Sequence, residues 1–407
     1  MCSHVQGKDL RIAHINVRLS EGGAARVALD LHSRALTAGL DSQFFYGYGS
    51  GARRSSYETS VVGAVHLASR HRVMFNFASH RVAGLEFLPP TGGRAESLRQ
   101  AIREADVVHL HAIHSYFMPF AWLSDVLEEA RKIVWTCHDF WPITGRCGFL
   151  EGCEEWKSGC GSCRTGLNYP PAVFDFSAYS FKQKREQVSR HLDRLVFAAP
   201  SQFVRAQYEA AFPQARVETV YNGIDAELER AVFSASEVNV ANSGGVTRIL
   251  VMANDLADPT KVDRGLINEV SSLPGVELHT IGRNSPFHHG AVINHGEVRG
   301  RADLAAIMRG VHALLFTSLK DTFGLVMIEA MVCGVPVLAL PSDAANEVLG
   351  LVGQRTLERQ RIMQLLSDPA GRDASLHELK MQLEDCPLEI FSGRNMFEQY
   401  LKLYKTM

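Results

Sequence analysis

The 407-residue chain has no uninterrupted apolar run near the roughly 18 residues that a membrane-crossing helix needs, so no such helix is expected. Its first residues, MCSHVQGKDLRIAHINVRL, are polar and basic throughout and lack the apolar centre of a secretory leader. Neither cations nor anions are in marked excess. Lys and Arg number 42 and Asp and Glu 44, a net of −2, which excludes a nucleic-acid binder working through overall positive charge. No G-x-G-x-x-G follows the first strand-like run, where only EGGAA (21–25) stands, and the second run offers no acid placed for a ribose. A dinucleotide-dependent dehydrogenase is thereby disfavoured. What remains is a cytoplasmic globular chain, 46% hydrophobic and 21% charged, long enough for two domains.

What is present is a repeating strand–helix pattern. RIAHINV (11–17) has strand length, SEGGAA (20–25) turns, and ARVALDLHSRAL (25–36) spaces Val27, Leu31 and Leu36 near helical period, with Gly39 as its stop. SQFFYGY (42–48), DVVHLHA (106–112), RKIVWTCHD (131–139), RLVFAAPS (194–201) and RVETVYNGID (216–225) are further strands. A polar stretch, 234–245, reads as a loop. The pattern then restarts with TRILVMAND (247–255), VELHTIGR (276–283), VHALLFTS (311–318) and GVPVLALPS (334–342). Strands alternating with helices predict parallel sheets, so the chain reads as two α/β domains, 1–223 and 224–391. A closing helix, 392–407, puts Phe397, Tyr400 and Leu401 on one face and could pack back on either domain. Architecture alone also fits a two-domain binder without chemistry.

The stretch SLKDTFGLVMIEAMVCGVPVLAL (318–340) carries the most chemistry. A strand ends at Ser318, a loop holds Asp321, and Phe323-Gly324 turns into a helix that runs through Glu329 and stops at Gly334. The amides of Gly324, Leu325 and Val326 then stand at a helix N-terminus, where free N–H groups and the helix dipole favour a phosphate or diphosphate. Asp321 and Glu329 flank that position and suit sugar hydroxyls at opposite ends of a nucleotide ligand; spacing alone equally allows a solvated Asp and a helix Glu without a ligand. Lys261, after the first strand of the second domain, can reach the same strand ends and neutralise a leaving diphosphate. Gly22 and Gly23 allow backbone to approach a ligand closely, or simply make a tight turn. His138 and Asp139 end an apolar strand, where open α/β sheets bind ligands. His109 and His111 alternate onto one face of their strand and His114 falls in the loop, which favours packed or ligand-facing roles over a metal site.

Four of the eight cysteines, Cys147, Cys153, Cys160 and Cys163, follow the spacing C-x5-C-x6-C-x2-C. Four thiolates could close a structural zinc site; packed reduced thiols are the alternative, and disulfides are disfavoured in a reducing cytosol. Residues 64–90 mix Arg70, Arg72 and Arg81 with Val73, Met74, Phe75, Phe77, Leu85, Phe87 and Leu88, a composition suited to a helix lying on an anionic membrane surface or packed on the sheet.

Taken together, these residues resemble retaining glycosyltransferase family 4. GLVMIEAMVCGVPVLA looks like its signature, and the family's E-x7-E motif falls on Asp321 and Glu329, with Asp in the first place. INVRLSEGGAARVALDLHSRAL is similar to its N-terminal glycine loop, DVVHLHAIHSYF and VWTCHDFWPITGRC to its central first-domain strands, and VYNGID to its interdomain junction. The segment Thr136–Cys163 resembles one bacterial exopolysaccharide branch. The resemblance implies a GT-B fold, two Rossmann-like domains facing each other across a cleft. It further implies transfer of a hexose, fucose or galactose, from a GDP- or UDP-sugar to a lipid-diphosphate-linked acceptor, with retention and without a metal cofactor, at the inner face of the cytoplasmic membrane. Glu329 would hold the ribose, Asp321 the donor sugar, Lys261 the diphosphate and His138 the reaction centre; Gly22 and Gly23 would admit acceptor and diphosphate. The Arg that family members pair with the Lys is absent at Asn254-Asp255, which leaves Arg264 or Arg283 to substitute. A nucleotide-sugar 2-epimerase of the same fold and a non-catalytic nucleotide-sugar binder are the rival readings.

Overall fold

The computed structural model of the chain describes residues 10–150, 152–163, 171–234, 245–288 and 291–406. Two compact units divide it: residues through Val220 together with those from Phe397 onward, and Tyr221–Met396. The loop expected at 234–245 lies mostly outside the described residues.

The first unit is built on a seven-stranded sheet in the order β3-β2-β1-β4-β5-β6-β7, every pairing parallel. The strands are β1 (Arg11–Asn16), β2 (Asp41–Tyr46), β3 (Ala64–His66), β4 (Val107–Leu110), β5 (Ile133–Thr136), β6 (Leu195–Ala199) and β7 (Arg216–Thr219). VVHL, IVWT and LVFAA are buried at every position because helices cover both faces, the condition under which continuous apolar runs become parallel strands. The helix Gly23–Thr37 buries Val27, Ala28, Leu31 and Ala35 against the sheet. Strand order reverses between β1 and β4, and open α/β sheets bind ligands outside the strand ends at such a switch.

Residues 64–90 depart from the expected single amphipathic helix. Ala64–His66 pairs as β3, a helix spans Arg70–Ala83, and Gly84 ends it in the left-handed conformation at φ 67°. Gly adopts that φ without the strain a side chain would add, which favours the stop there. The closing helix runs Gly393–Thr406. From Phe397 it belongs with the first unit, where the hydroxyls of Tyr400 and Tyr404 meet Thr136 Oγ1 at 2.8 Å and His109 Nδ1 at 2.7 Å.

The second unit carries a five-stranded parallel sheet, order β10-β9-β8-β11-β12. Its strands are β8 (Thr247–Asp255), β9 (Val276–Arg283), β10 (Val292–Asn294), β11 (Ala313–Phe316) and β12 (Val337–Ala339). Its switch point lies between β8 and β11, so the loops after those two strands, bearing Lys261 and Asp321, share one sheet edge.

Candidate active site

In the second unit, β11 ends at Phe316 and the chain turns at Gly324 into the helix Leu325–Val332. Gly324 has φ 81°, and a Cβ there would meet Met327 Cε at 2.6 Å, so the turn requires glycine. The amides of Gly324, Leu325 and Val326 therefore gather at the positive end of the helix, as the sequence indicated. Lys261 Nζ reaches the loop ahead of it and bonds Asp321 Oδ1 at 2.7 Å and the Lys320 carbonyl. Thr317 Oγ1 accepts from Asp263 N (3.0 Å) and donates to Lys261 O (3.2 Å), which ties the two loops together. The structure thus brings Lys261, Asp321 and the helix amides to one place. Both members of the ion pair keep about a quarter of their side-chain surface exposed, at 23% and 26%.

Glu329 lies in the same helix but is buried. Its Oε1 accepts from Arg301 Nη2 at 2.5 Å, and the same Nη2 lies 2.6 Å from Asp225 Oδ2. Burial opposes the guanidinium charge, yet the two carboxylates raise its pKa above the ordinary value. Sequence reasoning missed this triad. Arg301 stands 28 residues before Glu329, a separation that carries no periodic signal. The two expected substitutes for the family's missing Arg are engaged locally: Arg264 Nη2 donates to Ala257 O at 2.7 Å, and Arg283 Nε lies 3.6 Å from Glu297.

In the first unit, Gly22 (φ 94°) precedes the helix that begins at Gly23, whose first turn carries no acid. A Cβ at Gly22 would meet nothing within 4 Å, so its surroundings are open and only the backbone angle demands glycine. His138 follows β5, and its Nε2 lies 3.1 Å from His111 Nδ1. Burial pushes the His138 imidazole down to about 4, against the raising effect of Asp139, so the ring is neutral near pH 7. Beside it His114 Nε2 lies 2.8 Å from Asp139 Oδ2, and the His114 ring stacks on Trp141 at 5.7 Å. Burial would raise the Asp139 carboxyl, but His114 and the Trp141 amide hold it below the usual carboxylate range. These groups, with Ala112, Trp135 and Thr136, line one shallow concavity. Ser115 and Tyr116, at φ 80° and 79°, close its loop in the left-handed region, and Glu86 Oε1 pins that loop by accepting from Tyr116 N at 2.6 Å. Non-glycine residues so placed cost about 1–3 kcal/mol each and cluster at functional sites. The His114–Asp139 pair was also missed, because sequence placed His114 in a loop without a partner.

Cys147, Cys153, Cys160 and Cys163 form no disulfide with one another. Cys160 Sγ accepts from Gly145 N at 3.1 Å and Cys163 Sγ from Arg146 Nη2 at 3.4 Å. Among the described residues, the metal-type side chains whose ligand atoms converge within 4.8 Å are His14, His109 and His111, not the cysteines.

Both halves of the chain match known families. Residues 21–228 match the family described as Glycosyltransferase Family 4, and residues 249–366 match Glycosyl transferases group 1. WcaC of Escherichia coli K12, named as a colanic acid biosynthesis glycosyl transferase, is 36% identical, with 98% of this chain and 100% of that protein aligned. The D-inositol 3-phosphate glycosyltransferase of Mycobacterium tuberculosis is 24% identical over 46% of this chain and 44% of its own length. Among solved structures, Anabaena HepE in complex with UDP-glucose superposes with a TM-score of 0.62 at 14% identity, covering 98% of this chain and 100% of that one. Sucrose-phosphate synthase of Thermosynechococcus elongatus gives 0.57 at 15%, covering 97% and 98%. At such identities the structures speak for the fold, a pair of Rossmann-like α/β units of the GT-B kind. With the family pattern on the first half and a full-length relative at 36%, the chain belongs to glycosyltransferase family 4.

Proposed function

We propose that this glycosyltransferase moves a hexose, fucose or galactose, from a GDP- or UDP-sugar to a lipid-diphosphate-linked repeat-unit intermediate of a colanic-acid-like exopolysaccharide, with retention of configuration. The observation that carries the reading is the meeting of Lys261, Asp321 and the Gly324–Val326 amides at one sheet edge. A diphosphate seated on those amides gains the helix N-terminal field, and the Lys261 ammonium offsets the charge that grows on it as the glycosidic bond breaks. Asp321 accepts hydrogen bonds from donor-sugar hydroxyls, and Glu329, aimed by Arg301, accepts from the ribose. His138 faces the donor sugar as a neutral ring, and Gly22-Gly23 leave room for acceptor and diphosphate. The full-length similarity to WcaC supports the pathway.

The acceptor class calls for contact with the inner membrane, and the first unit has a surface that fits. Val173 N and Phe174 N bond Arg81 O and Val82 O at 2.9 and 2.8 Å, which sets that segment beside the helix Arg70–Ala83. Phe75, Val82, Phe87, Val173 and Phe174 are exposed there, next to Arg70 and Arg81. Apolar side chains ringed by cations suit an anionic leaflet.

The test is transfer itself. Purified protein is incubated with labelled GDP-fucose, UDP-galactose and other nucleotide sugars and with lipid-diphosphate acceptor, and the anomeric configuration of the product is read by NMR. Folded protein that transfers from no donor refutes the proposal, and so does conversion of nucleotide sugar without acceptor. Thermal shifts with GDP, UDP and dTDP choose the base, because a ligand at a hundredfold excess over Kd stabilises by about 2.7 kcal/mol.

A further inference from the structure

Imidazoles line up behind His138. His138 Nε2 lies 3.1 Å from His111 Nδ1, and His111 Nε2 lies 3.1 Å from His14 Nδ1. The parallel register of β1 against β4 sets His14 opposite His109, two residues from His111 on the same face. His111 stacks on both neighbours, with centroids 5.4 Å from His14 and 5.4 Å from His138. The rings of His14 and His111 are buried, and burial holds each well below its ordinary pKa, so each is neutral.

A neutral imidazole has one N–H and one lone pair. Two hydrogen bonds in series therefore admit only two arrangements, with every N–H pointing inward or every N–H pointing toward His138. The inner end decides between them. His14 Nε2 is buried with no hydrogen-bond partner among the described residues. Its neighbour His32 cannot serve: Nε2 of His32 must donate to the Val62 carbonyl at 2.8 Å, and its Nδ1 faces Ser42 Oγ at 2.7 Å. With N–H groups pointing inward, His14 would bury an orphan donor; in the outward arrangement it buries only a lone pair. Orphaned buried N–H groups are the rarer and costlier case.

We infer that His111 and His14 are positioning residues that lock His138 in one tautomer, with its hydrogen on Nδ1, through this chain of imidazole hydrogen bonds. His14 Nδ1–H donates to His111 Nε2, and His111 Nδ1–H donates to His138 Nε2. The lone pair of His138 is thereby committed inward, which makes its Nδ1 a hydrogen-bond donor and not a base. This deepens the proposed role of His138 facing the donor sugar and rests on it. A metal held by His14, His109 and His111 is the competing use of the same rings. It would need lone pairs from all three on one point, whereas both nitrogens of His109 already meet Tyr404 Oη and Thr136 Oγ1.

The experiment reads the tautomers directly in the full chain. Long-range proton–nitrogen correlation spectra of protein labelled with ¹⁵N-histidine distinguish Nδ1–H from Nε2–H rings, with His138 assigned by the signals lost in His138→Gln. Expected at pH 7 are Nδ1–H patterns for His138, His111 and His14, and the opposite pattern for His32. An Nε2–H or averaged pattern for His138 overturns the inference, as does one divalent metal per chain that is lost in His14→Phe. These readouts need no activity and no variant that folds poorly. His14→Phe keeps an aromatic ring beside Phe44 and removes the donor. It is expected to leave His138 a tautomer mixture and to lower kcat for transfer roughly tenfold at unchanged donor KM, the size typical of partners that orient a functional imidazole. A His138 pattern unmoved by His14→Phe refutes the positioning role. A mixed pattern with unchanged kcat refutes instead the placement of His138 at the donor sugar.

Discussion

The buried imidazoles should make the first unit unusually sensitive to mild acid. Burial holds His14, His109 and His111 well below the ordinary histidine value and His138 down to about 4. In the unfolded chain each titrates near 6.5. A histidine whose folded pKa is lowered binds its proton only on unfolding, so acid favours the unfolded state and stability falls as pH drops from about 6.5 toward the folded value. Between pH 7 and 5.5 an unfolded histidine goes from about one quarter to about nine-tenths protonated, which costs the folded state about 1.2 kcal/mol per residue. Four such residues cost about 5 kcal/mol, as much as the whole stability of a marginal domain. His32, His66 and His80 shift the same way and add to that figure. All four tryptophans, Trp122, Trp135, Trp141 and Trp156, lie in the first unit, so tryptophan fluorescence during urea unfolding reports that unit alone. The midpoint should drop strongly between pH 7 and 5.5, and His14→Phe should recover about 1.2 kcal/mol of the loss. A change below about 1 kcal/mol in the wild-type chain would show that the rings take up protons while folded, and would refute the argument.

Breaking the buried triad by Arg301→Met leaves Glu329 without its cation and should destabilise the second unit by about 3–5 kcal/mol in calorimetry, with Arg301→Met/Glu329→Leu recovering part of it. Asp321→Ala breaks a pair about a quarter exposed and should change stability by no more than about 1 kcal/mol, while transfer from labelled donor falls steeply; loss of folding instead would mark Asp321 as structural. Lys261→Ala should lower kcat by about 10²–10³, the range for removing one group that stabilises developing charge, and an unchanged kcat would remove Lys261 from the site. Replacing Phe75 and Phe174 with Asp should abolish flotation with anionic liposomes while nucleotide binding persists. For the four-cysteine loop, no three of whose thiols converge within 4.8 Å among the described residues, metal analysis of protein purified without chelator decides the expected zinc: about one zinc per chain, lost in Cys160→Ser and Cys163→Ser, would support it, and four titratable thiols without metal would show packing alone.

The strands of both sheets were readable wherever a run of four or more apolar residues sat between turn residues, as in VVHL, IVWT and LVFAA. Among the described residues β3 and β10 escaped, since Ala64–His66 and Val292–Asn294 are too short to show a period of two and lack the apolar run that marks the equally short β12. The Gly324 turn with its Asp and Glu was readable because local chemistry dictates it. Arg301, the His114–Asp139 pair and the line from His138 to His14 were not. Each joins residues at least 24 positions apart through strand order, and a sequence does not print which strands are neighbours. Alternation did place His109 and His111 on one face; the register against β1 that completes the cluster came only with the sheet.

The two tyrosines of the last helix set an order of assembly on the ribosome. Tyr400 and Tyr404 complete the surroundings of Thr136 and His109, yet they are translated after the whole of the second unit. The first unit, although made first, emerges from the exit tunnel with that flank of its sheet uncovered and keeps it so until residues near 404 are free. At the usual 5–20 residues per second the intervening stretch takes roughly ten to forty seconds, ample time for a chaperone to engage the bare flank. A chain released at Met396 would therefore complete its second unit and not its first, the reverse of the order in which a chain with two self-contained domains matures.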